Sequence, residues 1–217
     1  MDKKIIGLVG IIIALVLVII AFFTPWYSTS MKIESNFPEE SGDVNHNIYL
    51  TKTETKGSMF GDKVDETQSF SDYGNFPGKS VFDNTFYLTI IAIIFSVIAF
   101  VGFLGFSFNF SNPETMKKIG VIFGILVIVI AFITPIYFMG GPEESAKASY
   151  EAYTSMTGGP VDFEYSFWFS LSEGGAEVNG GPGIAWYLMI VAGIIALISS
   201  VIILKKDKET ILPQPQQ

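Results

Sequence analysis

His46 is the only histidine in this chain of 217 residues, and there is no cysteine. A transition-metal site would have to be built on His46 and carboxylates. Asp43, Glu39 and Glu40 stand near it in sequence. A lone loop histidine is ordinarily solvated, and no metal site is assigned. Asp62-Lys63-Val64-Asp65-Glu66 lacks the twelve-residue spacing of a calcium-binding loop. No phosphate-binding loop, dinucleotide fingerprint, metalloprotease helix or nucleophile elbow is present. The residues offer no catalytic constellation and no cofactor, so the expectation is a protein that is not an enzyme.

What the chain does have is four long apolar runs, at 5–23, 86–106, 119–138 and 184–204, none with a charged residue or histidine. A hydrocarbon core of about 30 Å needs roughly 20 apolar residues in helix. Backbone facing lipid must pair its own polar groups, so each run is expected to be a membrane-spanning helix. Lys3 and Lys4 before the first run also suit a signal peptide, but Thr24-Pro25-Trp26-Tyr27 is a poor cleavage site, and the run is read as a retained helix. Within the second and fourth runs only Thr89, Ser96, Ser199 and Ser200 stand out as polar. Carriers coupled to protons or ions commonly need charge in the membrane, and nothing of that kind is seen.

The two halves of the chain resemble each other. Ile20-Ala21-Phe22-Phe23-Thr24-Pro25-Trp26-Tyr27 returns as Ile130-Ala131-Phe132-Ile133-Thr134-Pro135-Ile136-Tyr137, an offset of 110. Phe86-Tyr87-Leu88 returns as Trp186-Tyr187-Leu188, an offset of 100. The expected organisation is a first repeat over 1–106 with outer loop 24–85, a link over 107–118, a second repeat over 119–204 with outer loop 139–183, and a disordered tail over 205–217.

Seven of the thirteen lysines lie in the two termini and the 107–118 link. By the positive-inside rule these segments are cytoplasmic and the two long loops are outside. Loop 27–84 has ten acids against five lysines, and loop 140–183 has seven against one. The outer surface should therefore repel nucleic acid and attract cations weakly, or basic partners. The absence of arginine removes the usual bidentate clamp for phosphate or carboxylate.

The outer loops are too long to be mere connections. Residues 161–172 alternate, with Val161, Phe163, Tyr165, Phe167, Phe169 and Leu171 on one side and Trp168 as the exception on the other. Residues 27–33, 47–55 and 64–73 are weaker strand candidates. Two strands alone are marginal, so both loops should share one small antiparallel sheet, with the 161–171 strand paired to a strand of the first loop. Residues 145–153 suit a short helix.

Pro25 and Pro135 should end or kink the first and third helices at equivalent depth. Pro25, Trp26, Tyr27, Pro135, Tyr137, Trp186 and Tyr187 then read as anchors at the membrane surface. Gly120 and Gly124, in Gly-x-x-x-Gly spacing, read as a helix-packing pair within the monomer.

The layout is similar to the claudin/PMP22-like tetraspan superfamily. Pro25-Trp26 beyond the first helix resembles the Pro-x-Trp found there in claudins, one residue shorter. The Gly-Leu-Trp-Cys-Cys signature of the family's first loop is absent. The resemblance implies a four-helix bundle with both termini cytoplasmic and a small extracellular sheet built by the outer loops. It also implies adhesion, sealing or accessory-subunit roles, of which only the fold is carried over.

The expected protein is a membrane α-helical, multi-pass protein of the plasma membrane, archaeal or bacterial. It acts through contacts of its acidic outer β domain with a protein partner or with further copies of itself. The alternative is a small-molecule or ion carrier or channel, or a membrane enzyme acting on lipid.

Overall fold

The computed structural model describes residues 3–34, 41–72, 74–110, 112–144, 166–173 and 176–205. Four helices, α1 (Lys3–Phe23), α2 (Lys79–Ser107), α3 (Pro113–Phe138) and α4 (Ile184–Leu204), are long and apolar enough to cross a membrane. They form a bundle in which α1 packs on α2 and α4, and α3 packs on α2 and α4.

The packing follows from small residues at alternating spacings of four and three. Gly120, Gly124, Val127, Ala131, Thr134 and Phe138 are buried on α3. Thr85, Thr89, Ala92, Ser96, Ala99 and Phe103 are buried on α2. Ala185, Met189, Ala192, Ala196, Ser199 and Ile203 are buried on α4, each 100 positions after its counterpart on α2. Such seven-residue spacing keeps one seam of a helix facing its neighbours at a shallow crossing angle. Glycine brings two backbones together where α2 meets α3. A Cβ on Gly102 would overlap the backbone of Gly120, and one on Gly120 would overlap the Phe103 ring. A Cβ on Gly124 would stand 2.7 Å from Ser200 Oγ of α4.

Two helices begin about two turns before their apolar runs. In α2 the early turns are polar, and Lys79 pairs with Asp83 at 2.6 Å one turn on. In α3 Asn112 is the N-cap, its Oδ1 accepting from Thr115 N at 3.2 Å, with Pro113 next and Glu114 in the first turn. These are ordinary helix-start signals that a search for apolar length passes over.

Above the bundle lies one six-stranded antiparallel sheet in the order β4-β3-β2-β1-β6-β5. Its strands are β1 (Tyr27–Ile33), β2 (Gly42–Ile48), β3 (Lys52–Met59), β4 (Asp62–Ser69), β5 (Phe169–Glu173) and β6 (Ala176–Pro182). Among the described residues the first loop therefore contributes four strands and the second loop two. The candidate strand at 47–55 is split: it covers the end of β2 and the start of β3, and the chain reverses between Ile48 and Lys52 with Leu50 buried beneath. The β3–β4 turn places Phe60 at φ 53 and Gly61 at φ 86, the paired positive values of a two-residue hairpin loop.

The expected pairing of a 161–171 strand with the first loop is corrected. Among the described residues the strand is Phe169–Glu173, it pairs with β6, and it is β6 that pairs with β1. Chain continuity decides this. β1 leaves α1 within a few residues, β6 enters α4 across Gly183 alone, and α1 packs on α4. The two strands anchored on neighbouring helices must be neighbours themselves. Val161, Phe163 and Tyr165 and the candidate helix at 145–153 lie outside the described residues.

Candidate functional site

At the junction of sheet and bundle, a set of hydrogen bonds centres on Pro25-Trp26. Proline has no N–H, so Pro25 cannot donate to the carbonyl of Ala21 four residues back. The indole Nε1 of Trp26 donates to that carbonyl instead, at 3.0 Å, and Thr24 Oγ1 donates to Ile20 O, also at 3.0 Å. Trp26 N donates to Ile48 O at 2.8 Å, which ties β1 to the end of β2. Gly183 N donates to Trp26 O at 2.8 Å and Ala185 N to Pro25 O at 3.0 Å, which ties the start of α4 to the same two residues. A side chain at Gly183 would overlap the Pro25 carbonyl, so only glycine fits that approach.

Trp26 is 0 % exposed and Tyr27 is also buried. The Trp26 ring meets Phe138 at 5.2 Å between centroids, Phe138 meets Phe82 at 5.5 Å, and Phe82 meets Phe70 at 5.2 Å. A second aromatic path runs from Tyr27 to Phe167 at 5.1 Å, then to Trp168, Trp186 and Tyr187. Aromatic groups thus form a floor between bundle and sheet, in tilted and edge-to-face contacts that such rings favour.

The second Thr-Pro behaves differently from the first. α1 stops at Phe23, before Pro25, whereas α3 runs through Pro135 to Phe138. Thr134 Oγ1 donates to Ile130 O at 2.7 Å, as Thr24 does to Ile20. At the end of α3, Met139 N turns to Ile136 O, so the Pro135 carbonyl is open, and Trp186 Nε1 donates to it at 3.0 Å. Among the residues read as membrane anchors, Pro135 is buried, Pro25 and Trp186 are half-buried, and Tyr137 and Tyr187 are exposed. The Tyr137 hydroxyl accepts from Asn84 Nδ2 at 2.9 Å. Gly120 and Gly124 both face neighbouring helices of their own chain.

Sequence reading passed over Phe82, Phe138 and Gly183. Phe82 precedes the second apolar run, and Gly183 sits in a Gly-Pro stretch that reads as a turn. β6, Ala-Glu-Val-Asn-Gly-Gly-Pro, was missed for the same reason.

The sheet has two chemically distinct faces. One carries Met31, Ile33, Val44 and Val178, with His46 among them. His46 Nδ1 lies 2.8 Å from Thr55 Oγ1 of the next strand, and burial holds its pKa below the ordinary histidine value. Asp43, three residues away on an extended strand, points to the opposite face, and Glu39 and Glu40 lie outside the described residues. The other face is polar. Glu54 there sits between Lys52 at 2.5 Å and Lys56 at 3.2 Å, and the Lys52 hydrogen bond chiefly lowers its pKa, with Lys56 adding to the effect. One outer strand of the sheet, β4, carries Asp62, Lys63, Asp65 and Glu66, charges of the kind that discourage unwanted strand pairing.

Within the helices, Thr85, Thr89, Ser96 and Ser199 each donate to the carbonyl four residues back, at 2.7 to 2.8 Å. Their hydroxyls are thereby engaged by their own helix. Ser200 Oγ is buried without a hydrogen-bond partner among the described residues. Compared with known proteins, the chain matches no protein-family model and no curated protein.

Proposed function

We propose that this is a non-enzymatic, multi-pass protein of the plasma membrane that acts through protein contacts of its outer sheet. In this reading both termini and the 107–118 link are cytoplasmic, because seven lysines gather there. The observation that carries the reading is the division of labour in the chain. Among the described residues, both long loops contribute strands to one sheet with a polar face and a charged edge. The helix hydroxyls that a transport path would need are largely engaged by their own backbone.

A tandem origin of the two helix pairs is supported by the buried positions of α2 and α4, which recur at an offset of 100. Kinship with the claudin/PMP22-like superfamily is part of the proposal. It is supported at the level of architecture, by a single sheet that both outer loops build on a four-helix bundle. An envelope or adhesion protein, or an accessory subunit of a membrane complex, fits this design. The acidic outer surface favours a basic partner surface.

The test uses the absence of native cysteine. Ser58→Cys and Glu66→Cys, both exposed on the sheet, should react with a membrane-impermeant thiol cross-linker in intact cells and give a defined higher-mass adduct. Glu114→Cys, at the start of α3, should stay unlabelled. Labelling at Glu114 alone would reverse the orientation. Modification of Ser58→Cys and Glu66→Cys with no adduct from either would count against the contact reading.

A further inference from the structure

We propose that the polar face of the sheet holds a binding groove for an uncharged glycan. A shallow groove of about 320 Å³ crosses β2, β1 and β6, lined chiefly by Ser28, Ser30, Asn45, Asn179, Gly181 and Pro182. That volume lies at the lower end of ligand sites, which run from about 300 to 1,000 Å³.

The chemistry of the lining selects the ligand class. Every lining residue is uncharged, although the next step outward on the same face is Lys32 with Asp43 and Glu177. No cation lines the groove to hold a phosphate or carboxylate, and no carboxylate lines it to hold a cation. Ser30 and Asn45 face each other across β1 and β2, and neither side chain has a hydrogen-bond partner among the described residues. Asn179 Nδ2 donates to Glu177 Oε1 at 2.8 Å, which leaves the Asn179 amide oxygen to accept. Ser28 Oγ donates to Asn47 Oδ1 at 2.8 Å and keeps its lone pairs.

An aromatic plane stands beside the groove, next to its lining residue Gly181. Trp168 is 49 % exposed and stands beside Gly181, where an added methyl would lie 3.3 Å from its Cδ1. Phe167 and Trp186 hold it edge-on, with ring centroids 4.9 Å and 5.8 Å away. Its indole N–H has no acceptor among the described residues. A pyranose offers what this arrangement lacks, an apolar C–H face to lie on the indole and hydroxyls that both donate to and accept from amides and serine hydroxyls. A peptide strand is disfavoured here, because the main-chain groups of β1, β2 and β6 are paired on both sides within the sheet.

The groove's lower end, Ser28 and Pro182, adjoins the start of α4 with Trp186 and Tyr187. A sugar on a lipid headgroup and a free oligosaccharide would carry the same chemistry to it. The site does not depend on the protein-contact reading: its lining lies on β1, β2 and β6, whereas that reading is tested at Ser58 and Glu66 on β3 and β4.

The full-length chain in phosphatidylcholine nanodiscs containing digalactosyl- or diglucosyl-diacylglycerol provides the test, with retained lipid read by native mass spectrometry. Glycolipid should be retained over plain diacylglycerol. Soluble lactose or maltotriose competing for the site would identify a free glycan as a ligand, and failure to compete would restrict recognition to the lipid-linked form. Asn45→Ala and Trp168→Ala should each weaken retention about five- to tenfold, the loss of roughly one hydrogen bond or one ring contact. Ser30→Asp places a charge in the groove without touching the aromatic floor and should do the same. Glu66→Gln, on the opposite face, should change nothing. If neither glycolipid nor either soluble sugar binds above plain lipid, or if Asn45→Ala and Ser30→Asp bind as well as the parent, the groove is not a glycan site.

Discussion

At the scale of single residues, Pro25 and Trp26 solve one problem between them. A helix that ends at a proline leaves a carbonyl without its donor, and in an apolar setting such an orphan costs about 1–3 kcal/mol. The Trp26 indole supplies the donor while its ring fills the floor against Phe138. Trp26→Phe keeps a ring and deletes the N–H, so it should lower stability by about 1–2 kcal/mol. Pro25→Ala restores a backbone N–H near the same carbonyl. Thermal unfolding in detergent across the double-mutant cycle should show a smaller Trp26→Phe penalty in the Pro25→Ala background. Strictly additive penalties would mean that the indole acts by packing alone. From sequence these residues looked like surface anchors, because Trp and Tyr beside an apolar run usually mark the headgroup level. Their burial depends on β1 turning back over the bundle, which no local pattern states.

At the scale of elements, the strands of the first loop are held as much by backbone approach as by side chains. Gly57 on β3 has φ +154, and a Cβ there would overlap Asp43 O and stand 2.8 Å from Val44 Cα of β2. Both neighbours are backbone and cannot yield unless β2 and β3 part. Gly57→Ala should therefore cost about 1–3 kcal/mol, read as a fall in the unfolding midpoint followed by near-ultraviolet circular dichroism. Gly140→Ala, where a Cβ would have nothing within 4 Å, is the matching control and should leave the midpoint nearly unchanged. A parent-like midpoint for Gly57→Ala would show that the β2–β3 approach is looser than its geometry implies. β1 was legible because Tyr27–Ile33 alternates. β6 was not, since Asn-Gly-Gly-Pro carries turn propensity. Ladders on both of its sides override that preference, as tertiary context does for strand propensities in general.

At the scale of the whole molecule, the sheet couples the two loops, among the described residues, through one strand pairing, β1 beside β6. Phe167 sits just before β5, 6 % exposed, with its ring on Tyr27 at the base of β1. Phe167→Asp would bury a charge without a partner, at a cost of several kcal/mol, and should loosen both loops together while the helices stay packed. Limited proteolysis of the intact chain in nanodiscs measures this. Cleavage in both loops at similar rates is expected. Cleavage confined to the second loop, with the first as resistant as before, would show that β1 to β4 stand without β5 and β6.

The number of long helices, their seams and the existence of a β layer were all present in the sequence, because each is a periodic property. Apolar length marks a helix able to cross a membrane, a four-three spacing of small residues marks its packed side, and alternation marks a strand. The starts of α2 and α3 were also written there, in Lys79 with Asp83 and in Asn112-Pro113-Glu114, though as polar signals rather than apolar ones. Only the tertiary structure decided that β6 lies between β1 and β5, that Trp26 is buried while Trp168 is exposed, and that Ser30, Asn45 and Asn179 share one groove. Each of these is a relation between segments far apart in the chain. Such relations are set by which helices pack together and by how few residues join each helix to its strand, and a one-dimensional period carries no record of either.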